Sequence, residues 1–310
     1  MIDILFCGND RVFDGALTTM LSIFKRTKTD EPFRFFIFTM DATHIDPSYR
    51  AFSDGQIDFL NRVARKYNPE NSVVKIDVGE IYMKEFSGCP NEQCYCSPYT
   101  LLRLFADLVP GMPDKLLYLD INLLFNDDIR KLWDIDVSDY EYAAAPDHYG
   151  KLILFFIRKF INAGVILFNL KKSKETGLLK KSRDLIKTKK LTFADESAII
   201  KSTTRQLKIN QRFNDQKFLY EKTVIRHFSK RLFWTPFPHT ENIKQWRVTK
   251  VHKVFGYENF DDIFYEYISL KDVFERREFY KDILGGGYLI KCVSVFVCSP
   301  HPDRVLFPAA

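Results

Sequence analysis

The stretch from Lys115 to Asp127 reads KLLYLDINLLFND, an apolar run broken by Asp120-Ile121-Asn122. Side chains two residues apart on an extended segment point the same way, so the Asp120 carboxylate and the Asn122 amide oxygen can face one hard cation together. A divalent ion held like this commonly bridges to a diphosphate and neutralises its charge. Two carboxylates at this spacing would make the stronger site; the amide brings one negative charge fewer. Acidic turns are common, so the tripeptide acquires meaning only from the elements that position it and from the residues that join it.

Those elements read as alternating strands and helices. IDILFCG (2–8), FRFFIFT (33–39), SVVKIDV (72–78) and DKLLYLDIN (114–122) are apolar strand patterns. Between them run helical patterns at 13–26, with Leu17, Met20, Leu21 and Phe24 on one stripe, and at 47–67, with Phe52, Ile57, Leu60 and Val63. Ser97 and Pro98 predict an N-cap and first turn for a helix reaching about Val109. Such alternation implies an α/β fold with a mainly parallel sheet, whose ligands bind beyond the carboxyl ends of the strands. Cys7-Gly8-Asn9-Asp10 and the Asp120 tripeptide then share one rim. Further on, YEYAAAPD (140–147) and NAGVILFNL (162–170) read as strands, and 171–190 as a basic helical segment, either a solvated face or a surface for anionic headgroups.

The chain has 310 residues, 46% apolar and 28% charged, which suits a globular protein with a sizeable core. A net charge of +6 is compatible with anionic ligands or a membrane surface but too weak to imply nucleic acid, and no nucleic-acid partner is expected. No secretory signal pattern is visible and no apolar run is long enough to span a bilayer, so the expected location is cytoplasmic, with peripheral contact to the inner membrane face as an option. Cys89, Cys94 and Cys96 cluster without a paired C-x-x-C elsewhere, which favours free thiols over zinc. Residues 1–260 are expected to form one unit, followed by a tail of unknown role over 261–310.

ILFCGND, LLYLDIN, FINAGVILFNLKK, ADESAI and VIRHFSKRLFW occur in this order. Together they resemble glycosyltransferase family 8, over roughly residues 2–240. The resemblance implies a GT-A fold and a retaining enzyme that moves glucose or galactose from a UDP-hexose to a hydroxyl of a glycan or glycolipid acceptor. Mn²⁺, with Mg²⁺ as the alternative, would hold the diphosphate. Residue by residue, it implies that Cys7, Asn9 and Arg11 surround the uridine and that Arg103 contacts the donor sugar. Asp120, Asn122 and His227 would hold the metal, with Asn162 in the sugar pocket and Asp195-Glu196 beside the reacting sugar face. An imidazole among oxygen ligands favours Mn²⁺ over Mg²⁺. The residues also admit plainer roles: Asn162 as a turn residue, and Asp195-Glu196 as first-turn acids of a helix.

Three positions depart from the family pattern. Asn122 replaces an Asp, and Glu196 stands where Gln is common. The family motif H-F-x-G-x-x-K-P-W, whose Lys meets the diphosphate, is read here onto HFSKRLFW; its Lys position falls near Leu232, leaving Lys230 and Arg231 as candidates for that role. A second reading therefore stands beside the first, a weakened or inactive UDP-sugar binder. The sequence is silent on the hexose, the acceptor and the oligomeric state.

Overall fold

The computed structural model describes residues 1–92, 97–148 and 160–284. Cys94, Cys96 and everything from residue 285 on, including the terminal tail, lie outside the described residues, as does most of the segment between the strands near 146 and 161. By compactness the chain divides into a first unit, Met1–Tyr267, and a second that begins at Ile268. The helix Asp261–Leu284 starts inside the first unit.

The first unit is built on a seven-stranded sheet. In chain order its strands are β1 (Ile2–Cys7), β2 (Phe33–Thr39), β3 (Ser72–Asp77), β4 (Lys115–Leu119), β6 (Tyr142–Pro146), β7 (Ile161–Asn169) and β8 (Gln206–Lys208). A short β5 (Leu123–Phe125) pairs instead with β9 (Ile225–His227), and β10 (Arg231–Phe233) with β11 (His239–Glu241). The order across the large sheet is β3-β2-β1-β4-β7-β6-β8. β1, β2, β3 and β4 are mutually parallel. β7 runs antiparallel to both β4 and β6, and β8 returns parallel to β6. The sheet is therefore mixed. The expected strands form, most of them within two residues of their predicted limits, while β4 ends at Leu119, three residues early; alternation alone could not foresee the reversal at β7.

Strand β1 is apolar at nearly every position because helices cover both of its faces. On one side pack Phe13–Arg26 (α1) and Asp54–Tyr67 (α2). Ser53 starts α2 with a capping box, its hydroxyl accepting from Gln56 N while Gln56 reaches back to Ser53 N. That cap moves the start of the helix to Asp54, later than the apolar stripe suggested, and contributes about 1 kcal/mol. The 3₁₀ segment Pro98–Phe105 begins at Ser97 as expected and buries Leu101, Leu102, Leu104 and Phe105 on the other side. The basic segment 171–190 divides at Gly177, whose φ of +71° ends one helix and starts the next. Arg183 and Lys187 there face Glu85, and Arg183 also meets Asp107.

Glu141 holds together the elements behind the candidate site. It is buried before β6, and its carboxylate accepts from Thr204 N at 2.9 Å, Thr204 Oγ1 at 2.9 Å and Arg205 N at 3.1 Å, all following the helix Ala194–Ser202. Burial pushes this carboxyl up, yet hydrogen bonds from Thr176, Thr203, Arg205 and Thr204 outweigh it and hold it below its usual range. A carboxyl depressed in the fold adds stability above its unfolded pKa and loses it as pH falls through the folded value. Glu141→Ala is expected to cost about 1–2 kcal/mol at neutral pH, because it leaves several partly buried donors without their acceptor. Chemical denaturation should show that difference from wild type narrowing in acid.

Candidate active site

Asp120 leaves the end of β4 and its amide donates to Gly164 O at 2.8 Å. This places it against β7, at the point where the parallel half of the sheet meets the antiparallel half. Its Oδ1 accepts from Tyr118 Oη at 2.6 Å and Arg103 Nη2 at 3.2 Å. The Arg103 guanidinium is buried, with Nε at 3.2 Å from Asp195 Oδ2 and at 2.9 Å from Thr100 O. Its Nη1 reaches Ala163 O, and its plane lies 3.9 Å from the Tyr118 ring centre. One cation thus serves two carboxylates. Burial pushes the Asp120 carboxyl up, but Arg103, His227 and the Tyr118 hydroxyl prevail and hold it ionised below the usual range. Asp195, more deeply buried, stays raised by desolvation in spite of Arg103.

His227 ends β9 opposite Leu123, one residue beyond the tripeptide. Its Nε2 lies 3.7 Å from Asp120 Oδ2. Its Nδ1 lies 2.9 Å from Asn214 Oδ1. The tautomer follows from a chain of hydrogen bonds that runs in one direction. The Asp147 carboxylate takes the Asn162 amide nitrogen at 3.0 Å. Asn162 Oδ1 must then accept, and does so from Asn214 Nδ2 at 2.8 Å and Gly164 N at 3.0 Å. Asn214 Oδ1 is left to accept from His227 Nδ1–H. The Nε2 lone pair is therefore free to ligate, with the ring fixed from behind. Burial pushes the imidazole down to about 4, so it is neutral at physiological pH.

Asn122 supplies the third side chain. Its Nδ2 donates to Phe228 O at 3.0 Å, while Phe228 N donates to Asn122 O at 2.9 Å. A carbonyl can only accept, so the amide nitrogen is fixed there and Oδ1 remains as the donor atom for a cation. Among the described residues no three His, Cys, Asp or Glu side chains cluster for a metal, because the third donor here is an amide. Gly164 keeps the space between the donors open: a Cβ there would stand 2.5 Å from His227 Cε1 and 2.9 Å from Asp120 Oδ2. Carboxylate, imidazole and amide oxygen thus suit a divalent ion of intermediate softness.

The tripeptide opens into a cleft of about 270 Å³ lined by Cys7, Asn9, Tyr99, Asp120, Asn122, Lys244 and Trp246 among others. Cys7 and Asn9 line this cleft, and burial pushes the Cys7 thiol up. Arg11 does not line the cleft; its guanidinium donates to Ser48 Oγ at 2.8 Å. Neither do Lys230 and Arg231. Arg231 lies over the rings of Phe218, Phe233 and Phe255 instead. The cation at the cleft is Lys244, beside Asp120, with its ammonium depressed by burial. Lys244-Gln245-Trp246 has the K-x-W spacing of the motif that the resemblance implies. It arrives late because 15 residues, 229–243, separate Phe228 from Lys244, and β10 and β11 form within them. Trp234, first read as the motif tryptophan, is 71% exposed.

Gln245 is fully buried beneath the tripeptide, its Nε2 donating to Ile121 O at 2.8 Å. Thr19 Oγ1 takes the neighbouring Leu123 O at 2.9 Å. Glu196 accepts from Ala163 N at 3.2 Å, and burial, with Asp147 and Asp195 adding to it, raises its carboxyl well above the usual range. A protonated carboxyl can donate and accept, like the Gln common at this position.

The family Glycosyl transferase family 8 matches residues 3–231. The chain belongs to it. A putative glycosyltransferase of Haemophilus influenzae is 27% identical over 52% of this chain and 56% of its own length. Glycosyltransferase GlyA of Streptococcus pneumoniae is 30% identical over 54% of the chain and 20% of its own. The chain thus spans about half, or less, of the curated relatives it matches. Among solved structures, an active-site Gln-to-Glu mutant of LgtC superposes with a TM-score of 0.62 at 20% identity, covering 88% of this chain and 96% of that one. LgtC in complex with donor and acceptor sugar analogues gives 0.59 at 20% identity, over 84% and 100%. The fold is GT-A, and the family's activity is glycosyl transfer.

Two outcomes test the site's construction. Asn214→Leu keeps the volume but removes the acceptor behind His227, and should weaken metal binding about 10- to 100-fold with the fold intact. Isothermal titration with Mn²⁺ and circular dichroism check this together. Asn122→Asp replaces a donor to the Phe228 carbonyl by a repelled oxygen. The metal-free variant should lose about 1–3 kcal/mol, and Mn²⁺ should recover part of it. Equal stability of variant and wild type without metal would show that the amide bond contributes nothing.

Proposed function

We propose that this family 8 protein is a retaining, metal-dependent hexosyltransferase that moves glucose or galactose from a UDP-sugar to a hydroxyl of a surface glycan or glycolipid. The observation that carries the proposal is the approach of His227 Nε2 to within 3.7 Å of Asp120 Oδ2, where Asp120, Asn122 and Lys244 line one cleft. A divalent ion, Mn²⁺ before Mg²⁺, would screen the diphosphate and stabilise UDP as a leaving group. That LgtC was solved with donor and acceptor sugar analogues supports the same reading here.

In this reading Cys7 and Asn9 border the nucleoside pocket, and Lys244 meets the diphosphate as its charge grows during bond cleavage. Arg103 holds Asp120 ionised and orients both Asp120 and Asp195. Asn162, held between Asp147 and Asn214, has one amide hydrogen left that could meet the donor sugar. Asp195 and Glu196, at the start of the helix Ala194–Ser202, flank the sugar; the Asp195 carboxylate can stabilise positive charge that develops at the anomeric carbon. Tyr118 and Trp246 help exclude water.

Calorimetry of UDP binding with and without Mn²⁺ tests the proposal. Binding that depends on the metal is the expected outcome, followed by turnover of UDP-glucose or UDP-galactose. Nucleotide binding indifferent to the metal would favour the inactive binder, and no UDP binding would overturn the reading of the cleft.

A further inference from the structure

We infer that the hairpin inserted between the histidine and the lysine of the site is a docking element for an anionic phospholipid bilayer. β10 and β11 pair with Arg231 opposite Glu241 and Phe233 opposite His239, so residues 234–238, Trp-Thr-Pro-Phe-Pro, form the tip. Isolated two-stranded hairpins are marginal in water. This one is braced at its base, where Phe233 stacks on His239 at 5.7 Å and Arg231 lies over Phe233, Phe218 and Phe255. The tip itself turns apolar surface to water. Trp234 is 71% exposed, Phe237 68% and Leu232 42%. Phe237 touches only the edge of the His239 ring, at 6.3 Å between ring centres, and still leaves most of its surface to water.

The surroundings extend the same chemistry. Arg231 links the hairpin to the loop that carries Phe218 and Tyr220, both exposed. Lys217 lies over the Phe218 ring at 5.0 Å. Residues 205–234 contain eight Lys and Arg against two Asp and Glu; Arg226 is buried, but Lys217 and Arg231 both lie over the exposed Phe218 ring. Tryptophan and phenylalanine settle at the boundary between headgroups and acyl chains, and cations around them attract anionic lipid. Charge complementarity therefore selects an anionic bilayer over a neutral one. No helix among the described residues is long and apolar enough to cross a membrane, so the attachment is to one face. Because the hairpin joins Phe228 to Lys244, it would hold the cleft beside the bilayer. The inference stands independently of the transfer reaction.

The test is co-sedimentation of the full chain with phosphatidylcholine vesicles, with and without phosphatidylglycerol, combined with tryptophan emission. Expected is binding to the anionic vesicles that weakens with salt, and a blue shift that Trp234→Ser abolishes although Trp133 and Trp246 remain. Trp234→Ser with Phe237→Ser should weaken vesicle binding at least about tenfold while UDP affinity is unchanged. Failure to bind anionic vesicles overturns the inference. So does undiminished binding of the double variant, which would locate the contact elsewhere. A Trp234 shift induced by soluble oligosaccharide without lipid would reassign the hairpin to the acceptor, and loss of a dimer in the variant would reassign it to self-association.

Discussion

Arg103 is the charge on which the site depends. Asp120 and Asp195 sit near one another at the rim of the sheet, where burial opposes the charge of each. The guanidinium reaches both; Nη1 donates to the Ala163 carbonyl, and Nε, the atom nearest Asp195, donates to the Thr100 carbonyl. Those carbonyls belong to the 3₁₀ segment and to β7, so the ion is fixed by backbone from both sides. The planar fork makes this possible; a lysine could satisfy one carboxylate but not this geometry. The result is an Asp120 that keeps its charge in a low dielectric and can ligate without first losing a proton.

The imidazole is prepared by a different principle. Nothing charged touches its Nδ1. Its orientation follows from the rule that carboxylates and carbonyls only accept, passed through two amides, Asn162 and Asn214, from Asp147 to His227. Each amide has one orientation that satisfies both neighbours, so a single carboxylate determines the tautomer three residues away in space. Burial completes the effect by keeping the ring neutral. The two devices meet at Gly164, whose missing side chain lets Asp120 and His227 approach.

How far this was legible in sequence varied with the kind of signal. Strands β1 to β4 and the tripeptide were readable because apolar runs and a polar interruption are local. The family resemblance carried the distant partners, Arg103, Asn162, Asp195 and His227, which the fold does bring to one rim. Asn214 and Asp147 were missed because a lone amide or carboxylate in a loop has no pattern; their roles exist only in three dimensions. Lys244 was missed for a different reason. A motif read at fixed spacing fails when a hairpin is inserted within it, and Trp234 offered a false end point. The K-x-W at 244–246 was a usable signal, and the two exposed prolines of 234–238 marked the insertion.

That insertion bears on why an amide replaces a carboxylate at position 122. A loop lengthened between Phe228 and Lys244 leaves the histidine strand and the lysine segment less constrained by each other, since longer connections cost entropy to order. The chain has amides at both junctions. Asn122 fixes the beginning of the insertion through Phe228, and Gln245 fixes its end through Ile121. Neither bond is available to the family's Asp and Pro, because a carboxylate cannot donate to a carbonyl and proline has no side-chain donor. Both bonds terminate on the same tripeptide. Asn122 and Gln245 are, in this fold, the side chains that hold the two ends of the 229–243 loop to the tripeptide.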